Sequence, residues 1–99
     1  MTERLKDKVA LITGAAQGLG KEMAKSMMAE GAEVYISDIN QAELDKTVSD
    51  LSCSGISLDV TKLEDWEKAI AYIKEKSGSL NILVNNAGIG NGGDIESTD

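Results

Sequence analysis

Thr13-Gly14-Ala15-Ala16-Gln17-Gly18-Leu19-Gly20 stands between two stretches of opposite character. Before it, residues 8–13 (Lys-Val-Ala-Leu-Ile-Thr) form a short, near-continuous apolar run. Such a run suits a strand buried on both faces, as in a parallel sheet. After it, Leu19 to Glu30 is built of good helix formers, with Leu19, Met23 and Met27 on one stripe and Ala24 and Met28 beside it. Gly31 takes the place of a helix C-terminal glycine. Glycines between a strand and a helix let the backbone turn tightly and approach a diphosphate with no Cβ in the way. The following helix directs its free N–H groups and the positive end of its dipole at the same point. Gly20, one turn in, lets that helix lie close to the sheet. No Gly-Lys-[Ser/Thr] closes the loop, although Lys21 follows Gly20, so this is not a P-loop. A glycine cluster alone also serves any tight strand-to-helix turn, so its position carries the argument.

Outward from the loop the same alternation repeats. Glu33 to Ser37 reads as a second strand ended by Asp38, and Gln41 to Leu51 as a second helix capped by Asn40. Gly55 to Val60 reads as a third strand. Thr61, with Glu64 three residues on, reads as the capping box of a third helix whose buried stripe is Leu63, Trp66, Ile70 and Ile73. Ser77-Gly78-Ser79 breaks that helix, and Leu80 to Val84 is a fourth apolar strand. Strands alternating with helices through short connections imply parallel pairing by right-handed crossovers. The expectation is an α/β fold: an open parallel sheet, strand order 3-2-1-4, with flanking helices. Four units cannot close a barrel. Residues 1–99 read as one unit, with 89–99 as a polar, Gly-rich loop tail.

Composition sets the outer bounds. The 99 residues carry a net charge of −7 with no His and one Cys. That balance disfavours nucleic acid and anionic membrane, whose phosphates are bound by Lys and Arg. The apolar runs are too short to span a bilayer, and the N-terminal residues lack the apolar core of a secretory signal. Cys53 cannot form an internal disulfide, and without an export signal a cytoplasmic, reducing setting is expected. The absence of His argues against a transition-metal site and removes any His-based nucleophile system from these residues.

Three further groups bear on chemistry. Asp38 ends the second strand near the spacing of a ribose-binding acid, where its carboxylate would accept hydrogen bonds from both adenosine ribose hydroxyls and repel a 2′-phosphate. Its neighbours Ser37, Ile39 and Asn40 include no cation, so NAD is favoured over NADP; an acid that merely caps the turn into the second helix is the plain alternative. Asp59-Val60 closes the third strand at the ligand-binding edge, where Asp59 could meet an adenine amino group and Val60 the ring; an ordinary strand-end acid is the plain alternative. Asn85-Asn86-Ala87-Gly88 follows the fourth strand, beside the first strand in the expected order. Its Asn side chains could hold neighbouring strands in register, though an Asn/Gly turn would look the same.

Together, Thr13-Gly14-x-x-x-Gly18-x-Gly20, Asp38, Asp59-Val60 and Asn85-Asn86-Ala87-Gly88 strongly resemble the short-chain dehydrogenase/reductase family. The match runs from Leu5 to about Gly90. The resemblance implies a Rossmann-type fold, a nicotinamide cofactor, and hydride transfer between an alcohol and a ketone as small-molecule substrates. By similarity Gly14, Gly18, Leu19 and Gly20 would contact the diphosphate, Asp38 the adenosine ribose, and Asp59 and Val60 the adenine. Asn86, Ala87 and Gly88 would line the ribose and nicotinamide side.

The departure from the family lies in what these residues omit. Members carry a catalytic Ser and a Tyr-x-x-x-Lys after the Asn-Asn-Ala-Gly strand, and no such set follows Gly88 here. Tyr72 and Lys76 match Tyr-x-x-x-Lys by letter but precede Asn85, on the third helix and far from the expected ligand edge. The 99 residues therefore read as the cofactor-binding N-terminal part of a larger NAD-dependent enzyme, itself expected to be a homo-oligomer, with no catalytic residue of its own and no activity in isolation. The alternatives are a non-catalytic nucleotide-binding module and a Rossmann-type methyltransferase; the Asn-Asn-Ala-Gly segment speaks against the latter. Leu80 to Val84 is expected to be an apolar edge with no partner beyond it, which would make the isolated chain prone to self-association.

Overall fold

In a computed structural model of the chain, residues 4–15 and 18–86 and the backbone of 96–98 are described. The apolar run before the glycine loop becomes β1 (Val9–Thr13), every residue of which is buried. It is followed by α1 (Gly18–Ala29), β2 (Glu33–Asp38), α2 (Gln41–Leu51), β3 (Ser54–Ser57), α3 (Leu63–Ser77), β4 (Ile82–Asn85) and β5 (Glu96–Thr98). The sheet order is β3-β2-β1-β4-β5. The first four strands are parallel, with β1 at the centre and Leu11 opposite Tyr35 on one side and Leu83 on the other. This is the expected Rossmann-type sheet, strand order 3-2-1-4 with flanking helices.

Alternation along the strands divides the core into two layers. Ala10, Ile12, Val34 and Ile36 point to one face, where Ala24 of α1 and Leu44 of α2 cover them. Val9, Leu11 and Tyr35 point to the other, covered by Ala69 and Ile73 of α3 and by Leu58. Burial on both faces is why β1 reads as a continuous apolar run rather than an alternating one. At the amino edge of the sheet, Ser77 Oγ lies 2.6 Å from the Tyr35 hydroxyl and donates to Glu33 Oε2 at 2.6 Å, tying the end of α3 to the start of β2. Among the described residues no helix is long and apolar enough to cross a membrane.

The structure differs from the sequence reading in several places, among them the fourth strand, which is Ile82–Asn85 rather than 80–84. Strand β3 spans Ser54–Ser57 rather than 55–60, because residues 58–61 leave the sheet in a turn built on Asp59. Thr61 does not cap α3: its N–H and hydroxyl both serve Asp59 Oδ1, and Lys62 takes the cap position with no side-chain bond. Leu63, assigned to a buried stripe, is 72% exposed in the first turn of α3, and Leu19, on the stripe of the first helix, is 56% exposed in the first turn of α1. Residues 96–98, read as loop, form β5, which pairs antiparallel with β4 through Leu83–Thr98, Val84–Ser97 and Asn85–Glu96. The outer edge of β4, expected to be bare, is therefore partnered there. A three-residue strand is too short to leave a period in the sequence.

Candidate cofactor-binding site

The carboxyl edge of the sheet is organised around Gly14. Its φ of 63° turns the chain out of β1, and Gly18, with φ 65°, opens α1. Side chains other than glycine are costly in that region. The Ala15 N–H donates to the Ser37 carbonyl at 3.1 Å, fastening the loop to the end of β2. On the opposite side Asn86 Nδ2 donates to the Gly14 carbonyl at 2.9 Å. Beneath it the Thr13 hydroxyl donates to Asn85 Oδ1 at 2.9 Å. A Cβ on Gly20 would stand 2.5 Å from the Gly14 oxygen and 2.6 Å from Asn86 Nδ2, so the helix can sit this close only because position 20 has no side chain. A Cβ on Gly18 would meet no heavy atom within 4 Å; the space beside it is open.

Next to the loop lies a cleft of ≈ 240 Å³ lined by Gly14, Ser37, Asp38, Ile39, Leu58, Asp59, Val60 and Thr61. Asp38 Oδ1 accepts the Asn40 N–H at 3.0 Å, while Asn40 caps α2 by accepting from the Glu43 N–H at 3.1 Å. The acid is thereby held at the mouth of the helix that follows it. Asp59 Oδ1 accepts the Thr61 hydroxyl at 2.6 Å and the Thr61 N–H at 2.9 Å. These two bonds, the hydroxyl's foremost, with the charge of Lys62 behind them, hold the Asp59 carboxyl below its ordinary pKa. The Asp59 N–H donates to Asp65 Oδ2 at 2.9 Å, and the Val60 carbonyl accepts Trp66 Nε1 at 2.8 Å, so the third strand's end is anchored to the first turns of α3. No Lys or Arg is among the lining residues.

Of the residues singled out from the sequence, Gly14, Asp38, Asp59 and Val60 line one cleft. Gly20 and Asn86 stand against Gly14 from the other side. Gly18 and Leu19 lie in the first turn of α1. Ala87 and Gly88 lie outside the described residues. The sequence reading missed Ser37, Ile39, Leu58 and Thr61 as lining groups. Ile39 carried a signal: it is apolar where a turn residue is expected, and it is 77% exposed. Thr61 fits a helix cap by sequence, and in the structure it bonds Asp59 at the cleft instead.

Tyr72 and Lys76 lie elsewhere. The Tyr72 ring meets Tyr35 edge-to-face at 6.3 Å, and Lys76 Nζ stands 5.7 Å from the Tyr72 centroid. Tyr35 in turn reaches Ser77 and Glu33 at the amino edge, so the pair belongs to the end of the sheet opposite the cleft.

The family model described as short chain dehydrogenase matches residues 8–99. The 3-beta-hydroxysteroid dehydrogenase of Comamonas testosteroni is 44% identical over 98 residues, which is 97% of this chain and 39% of that protein. The crystal structure of a short chain dehydrogenase from Mycobacterium smegmatis superposes with a TM-score of 0.81 at 37% identity, over 85% of this chain and 38% of that one. A hydroxysteroid dehydrogenase from Escherichia coli gives 0.80 at 35% identity, over 87% and 37%. The chain thus spans about two fifths of the length of the relatives it matches.

Proposed function

The chain belongs to the short-chain dehydrogenase family, and from that premise we propose that it binds NAD along the carboxyl edge of its sheet, as the cofactor-binding part of an oxidoreductase that interconverts an alcohol and a ketone. The observation that carries this is the cleft joining Gly14, Asp38, Asp59 and Val60. Bound there, NAD supplies the hydride acceptor for alcohol oxidation. The residues present fit such a ligand. Gly14 and Gly18 leave backbone without side chains beside the first turn of α1, where free N–H groups suit a diphosphate. Asp38 accepts from ribose hydroxyls, and Asp59 and Val60 serve the base. With two carboxylates and no cation lining the cleft, a 2′-phosphate is repelled rather than paired, which favours NAD over NADP. Asn86 contributes by fixing the Gly14 carbonyl.

The proton transfer that accompanies hydride transfer is assigned to residues outside these 99. A positioned acid–base group contributes roughly 10²–10⁴-fold to rate. The one Tyr-x-x-x-Lys pair here, Tyr72 and Lys76, faces Tyr35 at the other end of the sheet. The chain alone is expected to bind cofactor and not turn over.

The test is equilibrium binding of NAD and NADP to the wild-type chain and to Asp38→Ala. The wild type is expected to prefer NAD. The variant is expected to lose about 10- to 100-fold in NAD affinity, the worth of hydrogen bonds to a charged group, and with it the preference. A preference unchanged by the substitution sinks the ribose assignment.

A further inference from the structure

Ser37 is fully buried at the end of β2, lines the cleft, and carries, among the described residues, the one buried side-chain polar atom without a hydrogen-bond partner. Buried hydroxyls are ordinarily paired, because removing one from water without a partner is costly. Its own carbonyl is occupied by the Ala15 N–H, so the backbone there is satisfied and only the hydroxyl is left over. Val34, Tyr35 and Ile36 before it are core residues, and Thr13, opposite it on β1, gives its hydroxyl to Val84 O and Asn85 Oδ1 on the far side.

Alternation along β2 decides which part of a ligand Ser37 meets. Tyr35 packs in the layer that includes Leu58 and Val60, and Ile36 in the opposite layer. Ser37 therefore shares its face with Tyr35, Leu58 and Val60, and Asp38 turns the other way. Apolar groups flanking a hydroxyl suit a flat heterocycle, whose ring nitrogens can accept from that hydroxyl and whose amino group can donate to it.

Resting on the NAD reading above, we propose that the Ser37 hydroxyl is a hydrogen-bonding partner of the bound nucleotide's base and contributes affinity through the base rather than the sugar. A buried hydroxyl without a partner is the residue's cost, and the bound base removes it.

The experiment is isothermal titration of AMP and of 2′-deoxy-AMP into the wild-type chain, Ser37→Ala and Ser37→Cys, with thermal midpoints of the ligand-free proteins. Ser37→Ala is expected to weaken AMP about three- to tenfold, the worth of one neutral hydrogen bond. The same factor is expected with 2′-deoxy-AMP, because contacts to base and sugar are independent. Ser37→Cys, a weaker hydrogen bonder of similar shape, is expected to lose affinity too. The ligand-free midpoint of Ser37→Ala is expected to hold or rise, since an unpaired buried group has been deleted. Equal AMP affinity in wild type and Ser37→Ala overturns the assignment, as does a loss that vanishes with 2′-deoxy-AMP. A fallen midpoint with unchanged affinity marks a purely structural hydroxyl and also overturns it. A wild-type chain that binds neither nucleotide overturns the NAD reading as well; equal binding by wild type and variant overturns this one alone.

Discussion

The side chain of Asn86 donates to the main-chain carbonyl of Gly14 at 2.9 Å, linking the residue after β4 to the residue after β1 across 72 positions of sequence. The bond spans the two central strands at the edge where the cleft opens. It fixes the carbonyl of the residue whose positive φ starts the glycine loop. Asn86→Ala is expected to cost about 1 kcal/mol, a typical net hydrogen bond. Asn86→Asp should cost more at neutral pH, because a carboxylate would face that oxygen with no proton to give. Acid should restore part of the difference as the new carboxyl protonates and can donate. Chemical denaturation of both variants at pH 7 and pH 4 reads this, and equal stability of the two at pH 7 would count against the geometry.

Gly20 is the second contact on the same carbonyl. Two of the three atoms nearest its missing Cβ are backbone, Gly14 O at 2.5 Å and Ala15 Cα at 2.9 Å, so a methyl group cannot be absorbed by a rotamer change. Gly20→Ala is expected to destabilise by about 1–3 kcal/mol, as overpacked sites do. For a chain this size that lowers the thermal midpoint by roughly 4–8 °C per kcal/mol. The helix gains intrinsic propensity from the change, about 1 kcal/mol, so a stabilised variant would mean that α1 does not sit this close.

Most of this edge was legible because its chemistry depends on residue type. Gly14 and Gly20 announce themselves, because a positive φ and a close helix approach each bar a side chain at a junction that strand and helix periodicity locates, and Asp38 is found by its place at the end of β2. Ser37 and Leu58 did not, because a small polar or an apolar residue inside a strand is unremarkable until the topology shows which edge it faces. Thr61 shows the limit of local rules. A Thr followed three residues later by Glu fits a capping box, yet Asp59 two residues earlier offers both Thr61 donors a closer acceptor and wins them. The pairing of residues 96–98 with β4 is non-local and leaves no periodic trace at all.

Helix α3 allows a contrast within one element. Ile73 is fully buried against the sheet, and Leu63, at the same helical stripe on the sequence pattern, is 72% exposed. Ile73→Ala is expected to cost about 2–5 kcal/mol through lost burial and the cavity left behind. Leu63→Ala is expected to stay within about 0.5 kcal/mol, as surface changes do. Urea midpoints of the two variants compare them directly. Similar losses at both positions would mean that the first turn of α3 packs against something more than the described residues provide.

The turn at Asp59 gives a pH prediction. Thr61 donates two hydrogen bonds to the ionised carboxylate and holds its pKa below the ordinary aspartate value of about 4. The folded protein therefore gives up this proton more readily than the unfolded chain does. The stability it lends is complete above the unfolded value and is lost as the pH falls through the lowered folded value, so from pH 5 to 8 it is constant. Thr61→Val removes the hydroxyl, the largest of the lowering contributions, and keeps the N–H. Its Asp59 midpoint, followed by NMR of the carboxyl carbon, is expected to rise toward 4 without reaching it, because the Thr61 N–H and Lys62 still act. The stability gap between wild type and variant that arises from this carboxylate is expected to be full above about pH 5 and to close in stronger acid, once Asp59 is protonated in both folded and unfolded chains. An unmoved midpoint would show that the hydroxyl points elsewhere, and with it the account of why Thr61 left the helix cap would fall.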